Sequence, residues 1–588
     1  MEGPRFVIAI VLSIAVVILV NVLFPPGPPP PRTGPDTVGT TIDSVAAPPA
    51  IPAERAPAEA APAPAETVAT AVPADPRTPL GADTTARDTV WVETDVARYG
   101  IATRGAAVVS VELLEFASYT RDGPVQLTEP RNGALLSFSV RLGDRVFPLD
   151  AVPFDPSTSP GDTVRPEHDP LVLRMGATVR GAPVEIRYTF APGGYLVDVA
   201  GDVGAIAGND ATLLLGLGPR LAVNEADSAE DLRALGYVVN SRREGIEGVA
   251  LQKVGTDRVE EGPLTWVALK NKYFLVAALP PQGSDAAFGG VIVEGGAAGA
   301  TSIRTTMPLD RDGGFQLRLF FGPQEFGRLS AIGAGLEDVN PYGWRVFRPI
   351  IRPLAHVIAW LLEGLHDVLN LGYGWVLILF GFVMRALMWP LNAKAMRSQL
   401  KTMELQPRIK EIQAKYKEKP ELLQKEMVKL YKEEGFNPLG GCLPMLIPWP
   451  VLITLFFVFQ NTIEFRGVDF LWLPDLSRPD PVYVLPVVLG LSLFVTQWMN
   501  LRAAPQDNPQ MKMMMWFMPI IMVVIFLNFA SGLNLYYAAS NVAGIPQQVQ
   551  IIRERGRARE RLEAKKETAE REARQDQPQP RKRKKKRK

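Results

Sequence analysis

The stretch Gly372 to Leu391, GYGWVLILFGFVMRALMWPL, constrains this chain more than any other. It is long and apolar enough to cross a bilayer, which takes about 20 helical residues, yet it holds Arg385 well inside it. An arginine near the centre of a spanning helix costs about 2.5 to 3.5 kcal/mol on insertion scales. A chain that keeps one turns it toward a polar cavity or a partner, or lets it snorkel to the nearer interface. No acidic residue lies in any other apolar run of spanning length, so an interior Arg385 has no carboxylate to hold it and needs water.

Other apolar runs of similar length lie at 6–24, 437–460, 482–499, 513–529 and 535–552. Composition averaged over the chain hides this. The 47% hydrophobic content and net charge of +1 combine a soluble-looking segment, about Thr85 to Val339, with a C-terminal part where apolar runs alternate with short charged connections. The single cysteine, Cys442, excludes an intramolecular disulfide, and the three histidines, His168, His356 and His366, lack metal-ligand spacing. No metal site or cofactor is expected. The absence of a GxxxxGKS/T motif implies no internal nucleotide-driven motor.

Taken in order, residues 1–24 read as an uncleaved signal-anchor span: the apolar core exceeds that of a cleavable signal and no A-x-A-like site follows. Residues 25–84, rich in Pro and Ala and poor in large apolar side chains, form a linker outside the cytoplasm. Over 85–345 the period changes to two. Val184, Ile186, Tyr188 and Phe190 alternate with polar residues, APGG makes a four-residue turn, and Tyr195, Val197 and Val199 return; Phe315, Leu317, Leu319 and Phe321 repeat the pattern. This predicts a large antiparallel β-sandwich without a long helix. His168, in RPEHDP, reads as a solvated loop residue rather than the acid or base of a sugar-binding sandwich enzyme.

Residues 346–370 predict an amphipathic helix, too polar to span, lying at the outer interface or closing the sandwich. After the Arg385 span, 392–437 predicts a charged helical hairpin, cytosolic because basic residues outnumber acids. Pro444, Pro448 and Pro450 should kink the next span in its cytosolic half, freeing carbonyls that a neighbour or wet cavity must satisfy. SGLN should make a tight turn before the last span, and a basic tail over 553–588, ending in Arg581, Lys582, Arg583, Lys584 and four more basic residues, should attract a polyanion or anchor the topology. The fold class is thus a polytopic α-helical membrane protein of six spans, five of them a core over 371–552, with a large periplasmic β-sandwich.

The Arg385 span, the hairpin, NPLGGCLP, YVLPVVLGLSLFVTQ, FMPIIMVVIFLNFASGLNLYYAASN and the basic tail, in this order, resemble the YidC family of membrane protein insertases. The resemblance is close from about Pro349 to Arg553; the anchor and β-domain resemble its Gram-negative branch. It implies a non-enzymatic insertase and chaperone of the bacterial inner membrane, with both termini cytoplasmic. It also implies a hydrophilic groove, open to cytoplasm and lipid, that holds Arg385. Gly381 stands where the family has a polar substrate contact, and Tyr536 and Tyr537 match its tyrosine of the last span. Implied partners are nascent membrane proteins, the Sec translocon, the lipid bilayer and the ribosome, the last met by the tail and hairpin. The alternative from another class is a secondary transporter that binds an anionic solute at Arg385. Unrepeated hydropathy between two halves and the lack of further intramembrane charges speak against it.

Overall fold

The computed structural model describes residues 88–575 apart from 130–132, 180, 205, 207–210, 219, 285–287, 297–298, 341–346, 418, 434–447 and 503–508. The N-terminal anchor and linker, Cys442, Pro444 and Arg581 to Lys584 lie outside the described residues.

Alternation builds the β-domain. Val184, Ile186, Tyr188 and Phe190 are buried along Ala182–Phe190, and Val197 and Val199 along its partner Leu196–Asp202, with Phe190 opposite Val197. The connection is therefore one residue longer than APGG. Tyr195 belongs to it, its ring buried and its hydroxyl donating to Glu115 at 2.7 Å. Phe315 to Phe321 keep the expected inward positions. A five-stranded sheet, carrying Thr89–Glu93, Ala97–Ala102 and Val108–Ala117, packs on a fourteen-stranded, largely antiparallel one. Tyr99 of the small sheet joins the two, with its ring 5.1 Å from Phe190 and 5.8 Å from Phe321 of the large sheet. Each such buried ring contributes about 1.5–3 kcal/mol. Two short helices, α1 (Ser228–Ala234) and α2 (Phe326–Ile332), sit among the strands.

The C-terminal part is helical: α3 (Arg348–Leu369), α4 (Tyr373–Lys415), α5 (Pro420–Glu433), α6 (Pro448–Asn461), α7 (Val484–Arg502), α8 (Pro509–Phe526) and α9 (Ser531–Gln575). In α3, Ile351, Ala355, Ile358 and Leu362 make one buried stripe, which packs on α6, while Val357, Trp360 and Val368 face outward. The same helix holds the β-domain. Arg352 and His356 both bond Asp338, and Arg348 donates to the Ile246 carbonyl at 2.9 Å. These contacts are those of the sandwich-closing reading of this helix, while its outward face stays apolar.

The charged hairpin has the two helical arms expected, its first being the unbroken continuation of the 43-residue α4 and its second α5, which starts at Pro420. One sequence expectation changes. SGLN is no turn but the first turn of α9, where the buried Ser531 donates to the Asp475 carbonyl at 3.0 Å and Asn534 to Phe526 at 3.0 Å. Pro448 and Pro450 stand at the described start of α6, and the Thr454 hydroxyl donates to the Pro450 carbonyl at 2.6 Å. By length and composition one described helix, Tyr373–Ala393, could cross a membrane unaided; Pro450–Asn461, Val484–Met499 and Trp516–Phe526 are shorter apolar segments.

The segment between α6 and α7 docks the β-domain onto the helices. Arg466, its side chain 3% exposed, donates to Glu225 at 2.9 Å and to the Ala117 carbonyl at 2.8 Å, with its guanidinium 4.4 Å from the Tyr119 ring. Tyr119 in turn donates to Asp475 at 2.6 Å. Burial lifts Glu225 to about 6 although Arg466 pulls it down. Beside this joint Glu464 rises to about 7, chiefly through burial and then through Glu325 and Glu363, while its own and the Phe326 N–H groups oppose the rise.

Candidate functional site

Arg385 lies on α4 where that helix crosses α9, and the crossing is close because of glycines. At Gly381 a Cβ would meet Ala539 Cβ, the Ser540 nitrogen and the Tyr536 carbonyl, each at 3.1 Å. Gly381 therefore serves the approach of two backbones and presents no polar group of its own. One turn along, a Cβ at Gly544 of α9 would lie 2.5 Å from Nη2 and 2.6 Å from Cζ of Arg385. The missing side chain leaves the slot in which the guanidinium sits.

Tyr536, Ser540, Gly544 and Gln547 recur at helical spacing on α9 and form its face toward α4. The Tyr536 ring is buried 5.4 Å from Phe380 and 5.7 Å from Phe459; its hydroxyl bonds Ser540 and it interacts electrostatically with Arg385. Tyr537 points elsewhere, its ring 5.3 Å from Phe526 of α8. Of the two tyrosines matched in sequence, the structure brings Tyr536 to the arginine and leaves Tyr537 in helix packing. Gln547 donates to the Trp389 carbonyl at 3.4 Å.

The electrostatics are unusual in what they lack. The Arg385 Nε and the Gln547 Oε1 are both buried with no hydrogen-bond partner among the described residues, and no carboxylate there pairs with Arg385. Buried polar atoms are nearly always satisfied, so two orphans at one helix crossing set this place apart from ordinary helix packing. A second polar patch lies on another side of α9, where Asn541 donates to Ser492 of α7 at 2.9 Å; it is satisfied internally. His168 is exposed in its loop, and no cluster of His, Cys, Asp or Glu among the described residues could hold a metal. Sequence reading missed Gly544, Ser540 and Gln547. The signal was present as polar and small residues at spacings of four, four and three from Tyr536 within an apolar helix.

The fold and site define a class: a helical bundle with an arginine at one helix crossing, joined to a large β-sandwich. Residues 364–558 match the family model described as 60Kd inner membrane protein, and residues 89–357 match that of the YidC periplasmic domain. Among relatives named membrane protein insertase YidC, that of Ralstonia nicotianae is 33% identical over 88% of this chain and 91% of its own length. That of Cupriavidus necator is 32% identical over 84% and 88%, and that of Chlorobaculum tepidum 29% over 84% and 87%. The chain belongs to the YidC family of membrane protein insertases. It is an inner-membrane protein with a periplasmic β-domain.

Proposed function

We propose that the α4–α9 crossing is the wall of a hydrophilic groove, open to cytoplasm and lipid, along which the polar segment of a nascent membrane protein travels outward. The carrying observation is the Arg385 guanidinium, held in the Gly544 slot with its Nε unpartnered. Taking charged groups through about 30 Å of hydrocarbon is prohibitive, and a wet half-channel shortens the dry path. Arg385 attracts an acidic or carbonyl-bearing segment, Tyr536 and Gln547 offer it hydrogen bonds, and burial of the client's apolar helix in lipid, at about 25 cal/mol per Å², drives release. No covalent step is involved.

In this reading the chain crosses the membrane six times with both termini in the cytoplasm, its five core segments surrounding the groove. The long charged continuation of α4 and the basic end of the chain face the ribosome and anionic lipid, and the Sec translocon is a partner for larger clients. Proteoliposomes containing this protein alone test the proposal: a single-span client should insert and become protected from protease. Saturable flux of an anionic solute without client insertion would replace it by a transporter.

A further inference from the structure

A cavity of about 420 Å³ lies away from Arg385, between the β-domain and the ends of α6, α8 and α9 that meet it. Its floor is apolar, from Phe459, Phe529 and Leu533 at the helix ends. Its rim carries charge of both signs. Lys272 and Glu230 neutralise each other at 2.9 Å and Glu225 is taken by Arg466, which leaves Arg478 and Asp227. Both are exposed; among the described residues Arg478 has no carboxylate partner, its guanidinium lying 5.5 Å from the Tyr119 ring, and Asp227 has no cationic one, its side chain accepting the Glu230 N–H that caps α1.

The level of this cavity follows from the surrounding side chains and rests on the reading that these helix ends lie at the outer membrane surface. Leu471, Trp472 and Tyr483 in the connection beside it are 72%, 42% and 52% exposed. Leu471 and Tyr483 hold left-handed backbone, with φ of 55° and 58°, which large residues rarely adopt. Exposed tryptophan, tyrosine and leucine in one short connection fit a membrane–water boundary.

We propose that this cavity binds a zwitterionic, amine-bearing phospholipid headgroup of the outer leaflet. Arg478 takes the phosphate and Asp227 the ammonium, while the upper acyl region rests on Phe459, Phe529 and Leu533. The volume falls in the range of small-ligand sites, about 300–1,000 Å³. Charge decides the class: an anionic phosphoglycerol headgroup would set its phosphate before Arg478 and offer Asp227 only neutral hydroxyls, and a simple cation would leave Arg478 unmet. A carboxylate with one oxygen on the helix cap and the other free to accept favours a primary amine, with three N–H groups, over a quaternary one with none. A passing client segment carries no fixed order of charges and does not account for one plus and one minus beside an apolar floor.

The test uses the full chain in vesicles doped with photoreactive phospholipids that differ only in headgroup: ethanolamine, choline, glycerol or none. The ethanolamine lipid should label peptides containing 459–460, 477–479 and 528–533 in preference to the others. Arg478→Gln and Asp227→Asn, the latter keeping the helix cap, should each cut that labelling about tenfold, the scale of one charge-assisted hydrogen bond. Labelling blind to headgroup, labelling unchanged in both variants, or labelling displaced by a client arrested in mid-insertion would overturn the site, the last assigning the cavity to the polypeptide path. Client insertion is read in the same vesicles, so a failure of the groove reading appears as lost insertion with headgroup-selective labelling intact.

Discussion

Two arginines divide this molecule. Arg466, at the joint between domain and helices, is 3% exposed and has a carboxylate, a carbonyl and an aromatic face around it. Arg385, between α4 and α9, has a slot made by a missing side chain and a buried Nε with no partner. Both pay for desolvation, but the first recovers it inside the fold and the second does not. A fully partnered arginine fixes one geometry and so docks the β-domain. An unpartnered one, on the function proposed above, keeps its hydrogen bonds for a client segment.

Removing the satisfied arginine should do the greater structural harm. Arg466→Ala strands a buried Glu225 and should cost about 3–5 kcal/mol at the joint, seen as faster proteolysis between the β-domain and the helices. A loss under about 1 kcal/mol would mean that apolar contacts alone hold the joint, and the contrast between the two arginines would weaken.

A smaller effect at the same joint comes from Glu464. Its carboxyl is raised from an ordinary 4.5 to about 7, so the folded state holds that proton more tightly than the unfolded chain. The stabilisation is whole below about 4.5 and disappears as pH climbs through about 7. Glu464→Gln should therefore leave thermal stability at pH 4 nearly unchanged and raise it at pH 8 by about 1–2 kcal/mol, discounted for the carboxyl's partial exposure. An equal shift at both pH values would show that Glu464 acts by packing rather than by charge.

What could be read beforehand depended on how local the determinant was. The strand of Val184 to Phe190 declares its buried face by alternation, and α3 declares its stripe by helical spacing, because each signal lies within a few residues. Arg385 was visible for the same reason, as one charge inside one apolar run. Arg466 was not, since its partner Glu225 stands 241 positions away and nothing in either segment names the other. The Gly544 slot needs two helices to be seen at all.

The central claim is that Arg385 serves a client and not the fold. Two single-span clients, one with an acidic and one with a neutral translocated tail, should be offered to wild type, Arg385→Lys, Arg385→Ala and Gly544→Val, with rates normalised to folded protein. Removing an unpaired charge from a span relieves a cost of about 2.5 to 3.5 kcal/mol, so Arg385→Ala should fold at least as well as wild type. It should insert the acidic client about tenfold more slowly, the worth of one charge-assisted contact, and the neutral client at nearly the wild-type rate. Arg385→Lys should retain most activity. Gly544→Val, which fills the slot and displaces the guanidinium without removing it, should fall between Arg385→Lys and Arg385→Ala on the acidic client. Equal rates for Arg385→Ala and wild type on both clients would contradict the account and leave Arg385 as an anchor that sets the depth of its helix.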